Sequence, residues 1–177
     1  MRAQRQLLYQ ALDNALEVQR QARRLMGQLG QPFPEIARLR TVPGVGPIGA
    51  HLFVAYLQEP TRFETPQALF RYCRRGLRDR SSDGKPLGFQ PLDRCGHGGL
   101  KAVSCRAWLT ATKRQNGAVY EFYLASLART GDPVPARLNP QRKGLQTLWA
   151  LWKTQRAFDP QTFLGNEAQP AAKSTCG

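Results

Sequence analysis

Acidic side chains are scarce in this chain: 12 Asp and Glu stand against 26 Lys and Arg in 177 residues, a formal net charge of +14. A two-metal nuclease needs three or four convergent carboxylates on a stable scaffold. Asp79, Asp83 and Asp93 instead crowd into one arginine-rich stretch, while Glu59, Glu64 and Glu121 are scattered. A self-contained metal nuclease is therefore disfavoured. Long apolar runs are missing as well. A spanning helix needs about twenty consecutive apolar residues, and a membrane-surface helix needs large apolar anchors beside a cationic face. Neither pattern occurs, so no membrane partner is expected. The N-terminus also lacks the basic segment followed by an apolar stretch that marks a secretory signal. The expected setting is cytoplasmic and nucleoid-associated. There are no internal repeats, and the four cysteines, Cys73, Cys95, Cys105 and Cys176, form no C-x-x-C pair. Zinc knuckles pair their ligands two to four residues apart, so ordinary reduced thiols are preferred over a zinc site built from Cys73, Cys95, His97 and Cys105.

What is present suits one globular domain with an arm: 41% of the residues are apolar, enough to bury a core. The positive excess attracts polyanions over long range, which makes nucleic acid the leading partner. Leu8, Leu12, Ala15, Val18, Ala22, Leu25 and Leu29 recur at helical steps among Gln and Arg. This predicts an amphipathic helix over about 5–29, serving as a coiled-coil-like arm or packed on its own domain. Gly30 and the prolines at 32 and 34 close it. The expected organisation is thus a helix or linker over 1–30, a helical domain over 35–163 and a disordered tail over 164–177.

Within the domain, short helical patterns flank Val42-Pro43-Gly44-Val45-Gly46-Pro47, giving helix, glycine turn, helix. Further helices are expected over 66–75, where Thr65 and Pro66 supply a cap and a first-turn proline, and over 100–114, 119–129 and 141–154. Between Gly76 and Gly99 there are six glycines and two prolines without helical periodicity. This is a long loop of the kind that often carries function. Trp108, Tyr120, Phe122, Tyr123, Trp149 and Trp152 fall in helical segments and read as core.

Two motifs offer chemistry. The glycine turn has the form of a helix-hairpin-helix, in which Gly44, Val45 and Gly46 present backbone N–H groups to a DNA phosphate at a helix N-terminus. Such a contact reads no base. The alternative is a plain glycine turn between packed helices. The loop sequence Arg78-Asp79-Arg80-Ser81-Ser82-Asp83-Gly84-Lys85 places two hydroxyls among cationic side chains suited to a phosphate. A serine needs a base, a metal or electrostatic help to act as a nucleophile, and a Ser-Ser pair in a glycine-rich loop is otherwise simply a turn. His97 is the histidine in the same loop region; His51 lies in an apolar helix and reads as core.

In their order along the chain, these pieces resemble the C-terminal half of the transposases of IS110-type insertion sequences, relatives of the Piv-type DNA invertases. The resemblance rests on the turn within 39–50, Arg62-Phe63, the segment from Tyr72 to Leu77, the loop from Ser81 to Lys85, and Asp93-Arg94-Cys95-Gly96-His97 leading to Leu100-Lys101. It continues through the helix from Lys143 to Lys153 and Phe158-Asp159-Pro160. It implies a mainly α domain with a helix-hairpin-helix and a long functional loop. It also implies that Ser81, with Ser82 as fallback, joins covalently to DNA during transposition or site-specific recombination, and that Arg78, Arg80, Lys85, Arg94 and Lys101 hold the DNA. A guide RNA and a homo-oligomer formed through the N-terminal helix are implied too. So is Mg²⁺ held by four acidic residues of a preceding RuvC-like domain, with no cofactor bound by this chain.

The sequence departs from that pattern at Asp83 in place of glycine, at Cys95-Gly96-His97 in place of a more basic, amide-bearing stretch, and at Lys101 in place of arginine. Lys cannot form the bidentate fork that Arg offers a phosphate. Because the chain opens in what corresponds to the linker coiled coil, the expectation is a truncated or split transposase that binds DNA and does not cut alone. The alternative is a non-enzymatic nucleic-acid-binding module.

Overall fold

The computed structural model describes residues 2–78, 81–82, 85–86 and 91–165, and for 81–82 and 85–86 only the backbone. The chain is mainly α-helical, with eight helices among the described residues. Helix α1 (Arg2–Gly30) is 29 residues long, about 43 Å at 1.5 Å per residue. Its Leu7, Leu8, Leu12, Leu16, Leu25 and Leu29 are exposed. It meets the body at its C-terminal end, where Gly30 abuts His51. The narrow stripe of alanine and leucine explains why: it is too thin to seat the whole helix on a core.

Helices α2 (Pro34–Leu39) and α3 (Pro47–Leu57) flank the glycine turn, and both begin with proline, which needs no N–H there. Helix α4 spans Pro66–Tyr72, capped by the Thr65 hydroxyl accepting from the Ala68 N–H. It ends earlier than the expected 75. Arg74 turns left-handed (φ 54°), the Arg74 N–H donates to Arg71 O, and the Arg75 N–H donates to Phe70 O at 2.7 Å. This is a Schellman closure, here without its usual glycine. A short antiparallel pair follows, β1 (Ser81–Ser82) with β2 (Lys85–Pro86), on a stem where Leu77 bridges Leu92. Helix α5 covers Gly98–Thr112 and α6 covers Ala118–Thr130.

Helix α7 runs from Pro133 to Thr154, eight residues upstream of the expected start at 141. Asp132 caps it by accepting from the Val134 N–H. Pro133 and Pro135 lie in the first turn, where amide donors have no intrahelical partner. Pro140 sits inside the helix and is buried, so one lost backbone bond is offset by packing. A short α8 (Pro160–Leu164), capped by Asp159, was not expected. The disordered-tail expectation falls mostly on 166–177, outside the described residues.

The main core joins α2, α3, α4, α5 and α7 through Leu39, Phe53, Leu57, Leu69, Leu100 and Leu145; each such side chain contributes about 1.5–3 kcal/mol on full burial. A second cluster, Val119, Phe122 and Phe163 with Trp108 against it, fixes α6 and α8. Of the expected core aromatics, Phe122 and Trp149 are buried in these clusters and Trp108 and Trp152 pack against them, whereas Tyr120 and Tyr123 are half-buried and belong to neither cluster.

Candidate nucleic-acid interface

The glycine turn is held by both ends of its own sequence and by a neighbour. Val42 and Val45 are buried, pulling the turn onto the core. Gly44 has φ 82°, and a Cβ there would lie 2.0 Å from Ala107 O. Gly44 is therefore needed for its conformation and for close approach to α5. Val45, expected among the phosphate contacts, does not offer its amide: its N–H donates to Val42 O at 3.1 Å. Gly46 is the exposed N-cap of α3 and provides no side-chain cap. Its own N–H and those of Ile48 and Gly49 have no acceptor among the described residues, as expected for the orphan donors of a first turn. Gly46, Ile48 and Gly49 line a cleft of about 220 Å³ between this turn and α5, together with Arg106 and Thr110. Arg106 was not singled out from sequence, because only the seating of α5 on α3 brings it there.

The serine hairpin stands on a fixed stem. The Arg78 N–H donates to Pro91 O at 2.9 Å and the Asp93 N–H to Gly76 O at 2.9 Å. In the hairpin, Ser81 pairs with Pro86 and Ser82 with Lys85. The side chains of Ser81, Ser82 and Lys85, and all of Arg80, lie outside the described residues. Arg78, Arg94 and Lys101 are exposed. Asp93 accepts from the Cys95 N–H at 2.9 Å. That bond, with Arg78 and Arg71 nearby, holds its carboxyl below the usual value.

His97 is occupied as a helix cap. Its Nδ1 accepts from the Leu100 N–H at 3.3 Å, and its ring centroid stands 4.2 Å from that of Tyr56. Gly96 (φ 113°) passes so close to Tyr72 O that a Cβ would stand 2.5 Å from it, and Arg74 Nε donates to Gly96 O at 2.7 Å. His97 thus performs the start-of-helix task for which an amide side chain is well suited. Among the described residues no group of three or more His, Cys, Asp and Glu gathers at metal-binding distance. The Mg²⁺ implied by the resemblance has no ligand set in them.

Sequence reasoning missed a buried arginine. Arg75 is 6% exposed and donates to Ser104 Oγ at 3.3 Å and Lys101 O at 3.4 Å. Arg142 of α7 donates from Nε to Arg75 O at 2.6 Å. Burial lowers the pKa of both guanidiniums below the ordinary value, and the positive charge of Arg75 adds to the lowering at Arg142.

The model of the transposase IS116/IS110/IS902 family matches residues 36–124, half of the chain. The chain belongs to this transposase family. The matched segment takes in the glycine turn, the serine hairpin, all of α5 and the first half of α6, so the family's portion contains the elements built above. Helices α1, α7 and α8 of this transposase-family protein lie outside it. No curated protein matches the chain. Membership supports a role in transposition, and among the described residues no helix is long and apolar enough to cross a membrane.

Proposed function

We propose that this transposase-family protein binds DNA through the α3 N-terminus and the basic loop, as the serine-bearing, strand-transfer part of a transposase. The observation that carries the reading is the open first turn of α3, with unpartnered N–H groups and Arg106 lining one cleft. In a chain of net charge +14, this arrangement suits a backbone phosphate held without base readout. The turn then acts as a helix-hairpin-helix, and Arg78, Arg94 and Lys101 continue the phosphate track toward the hairpin.

In the chemical step, Ser81 Oγ bonds to phosphorus as the bond from phosphorus to one deoxyribose oxygen breaks. The serine proton passes through solvent to the freed oxygen. A neutral hydroxyl needs help for this. The help would come from an acidic RuvC-like domain supplied elsewhere, with its Mg²⁺ and guide RNA. The exposed leucine stripe of α1 suits a coiled coil between copies, in which Leu8, Leu12, Ala15, Ala22, Met26 and Leu29 fall at heptad spacing.

The test is covalent capture of a nicked DNA junction with Mg²⁺, with and without an added RuvC-like domain, comparing wild type with Ser81→Ala and Ser82→Ala. A serine-dependent adduct supports strand transfer. Salt-sensitive binding without adduct in any mixture would reduce the protein to a non-enzymatic DNA-binding module.

A further inference from the structure

We propose that Arg142, backed by Arg75, forms a phosphodiester-binding site at the root of the serine hairpin; this rests on the DNA-binding reading above. The two guanidiniums are packed at the meeting of α4, α5 and α7. Arg75 spends its donors inside the protein on Ser104 Oγ, Lys101 O and the Cys105 side chain, none of them a carboxylate. No carboxylate pairs with either arginine among the described residues. Burying charge without a counter-ion is expensive, and most buried guanidiniums are matched by an acid. Here the positive field is left standing at one place on the surface.

Arg142 is where that field reaches solvent. It is half-buried. Its Nε holds Arg75 O, its guanidinium carbon lies 5.7 Å from the Phe70 ring centroid, and its two Nη groups have no protein acceptor among the described residues. A guanidinium fixed through Nε and stacked on a ring is a preorganised fork, the geometry that grips a phosphate with two parallel hydrogen bonds. Its position is equally specific. The carbonyl it holds belongs to the residue before Gly76, where the chain enters the stem leading to Ser81. A phosphate bound there lies at the entry to that stem, and Arg142 comes from α7, outside the segment that defines the family.

The experiment is fluorescence-anisotropy titration of the whole protein with a labelled DNA duplex over a salt series, for wild type, Arg142→Gln and Arg24→Gln, with thermal unfolding in parallel. Arg24 lies exposed on α1 and removes the same unit of charge away from the site. Losing a phosphate contact lowers the log–log salt slope by about 0.9, and losing a charge-assisted hydrogen bond weakens binding by about tenfold. Arg142→Gln is expected to show both, with Arg24→Gln close to wild type. Equal behaviour of the two variants overturns the site while leaving DNA binding intact. Absence of salt-dependent binding in wild type overturns both readings. If Arg142→Gln does not fold, Arg142→Lys decides: it keeps the charge and loses the fork, so weaker binding at an unchanged slope upholds the site, and wild-type binding overturns it.

Discussion

Replacing Gly44 by alanine separates the architecture of the glycine turn from its chemistry. At φ 82° an L-residue costs about 1–2 kcal/mol. The added Cβ would also stand 2.0 Å from Ala107 O and 2.9 Å from Ala111 N. These are helix backbone atoms that cannot rotate aside, so the turn must lift from α5, an overpacking cost of about 1–3 kcal/mol. The total, about 2–5 kcal/mol, is a large part of the roughly 5–15 kcal/mol that stabilises a domain. At about 2–4 °C per kcal/mol for a chain of this size, the Tm should fall by about 4–20 °C. Thermal unfolding followed by circular dichroism measures this, with Gly46→Ala alongside. Gly46 has φ −79° and nothing within 4 Å of its would-be Cβ, so its replacement should cost less than about 1 kcal/mol. If the two variants melt together near wild type, the turn is not seated against α5 and the reasoning fails. If the turn grips phosphate, Gly46→Ala should weaken DNA binding with its Tm nearly unchanged.

Two further outcomes follow from single side chains. His97→Ala removes the acceptor for the Leu100 N–H and should cost about 1 kcal/mol, whereas His97→Asn should recover most of it as a good cap; equal Tm values for the two variants would refute the capping role. Burial pushes the Cys73 thiol up to about 12 from 9.0, so in the native protein at pH 8 a disulfide reagent should label exposed Cys95 rapidly and Cys73 only on unfolding. Because this acid is weaker in the folded state, its contribution to stability is intact below pH 9 and lost as pH rises toward 12. The Tm of wild type should then fall more steeply over that window than that of Cys73→Val, and parallel curves would contradict the burial argument.

Local rules made much of the fold legible. The leucine spacing of α1 and the Thr65-Pro66 start of α4 each carried a mechanism that the structure repeats. The start expected at 141 lies eight residues too far along: α7 begins at Pro133 and keeps Pro140 in its interior, where burial of the ring outweighs one missing donor. Gly44 and Gly46 were both visible as turn residues, but not their different roles. One is packed on a helix that lies far away in sequence, and the other is open to solvent. Val45 looked like part of the same phosphate loop and is instead a core residue whose amide closes the turn.

By itself the sequence determined the helical periodicity, the excess of positive charge and the order of turn, serine loop and basic helix start, because these depend on neighbours within a few residues and on composition. Only the tertiary structure decided which cations converge. Arg75 in Arg74-Arg75-Gly76 reads as a surface residue until α4, α5 and α7 close over it, and Arg106 and Arg142 gain their places from helices that pack across long sequence separations. Burial and counter-charge are properties of packed surfaces rather than of chain segments, and so the arginines of the proposed phosphate sites emerged from the fold.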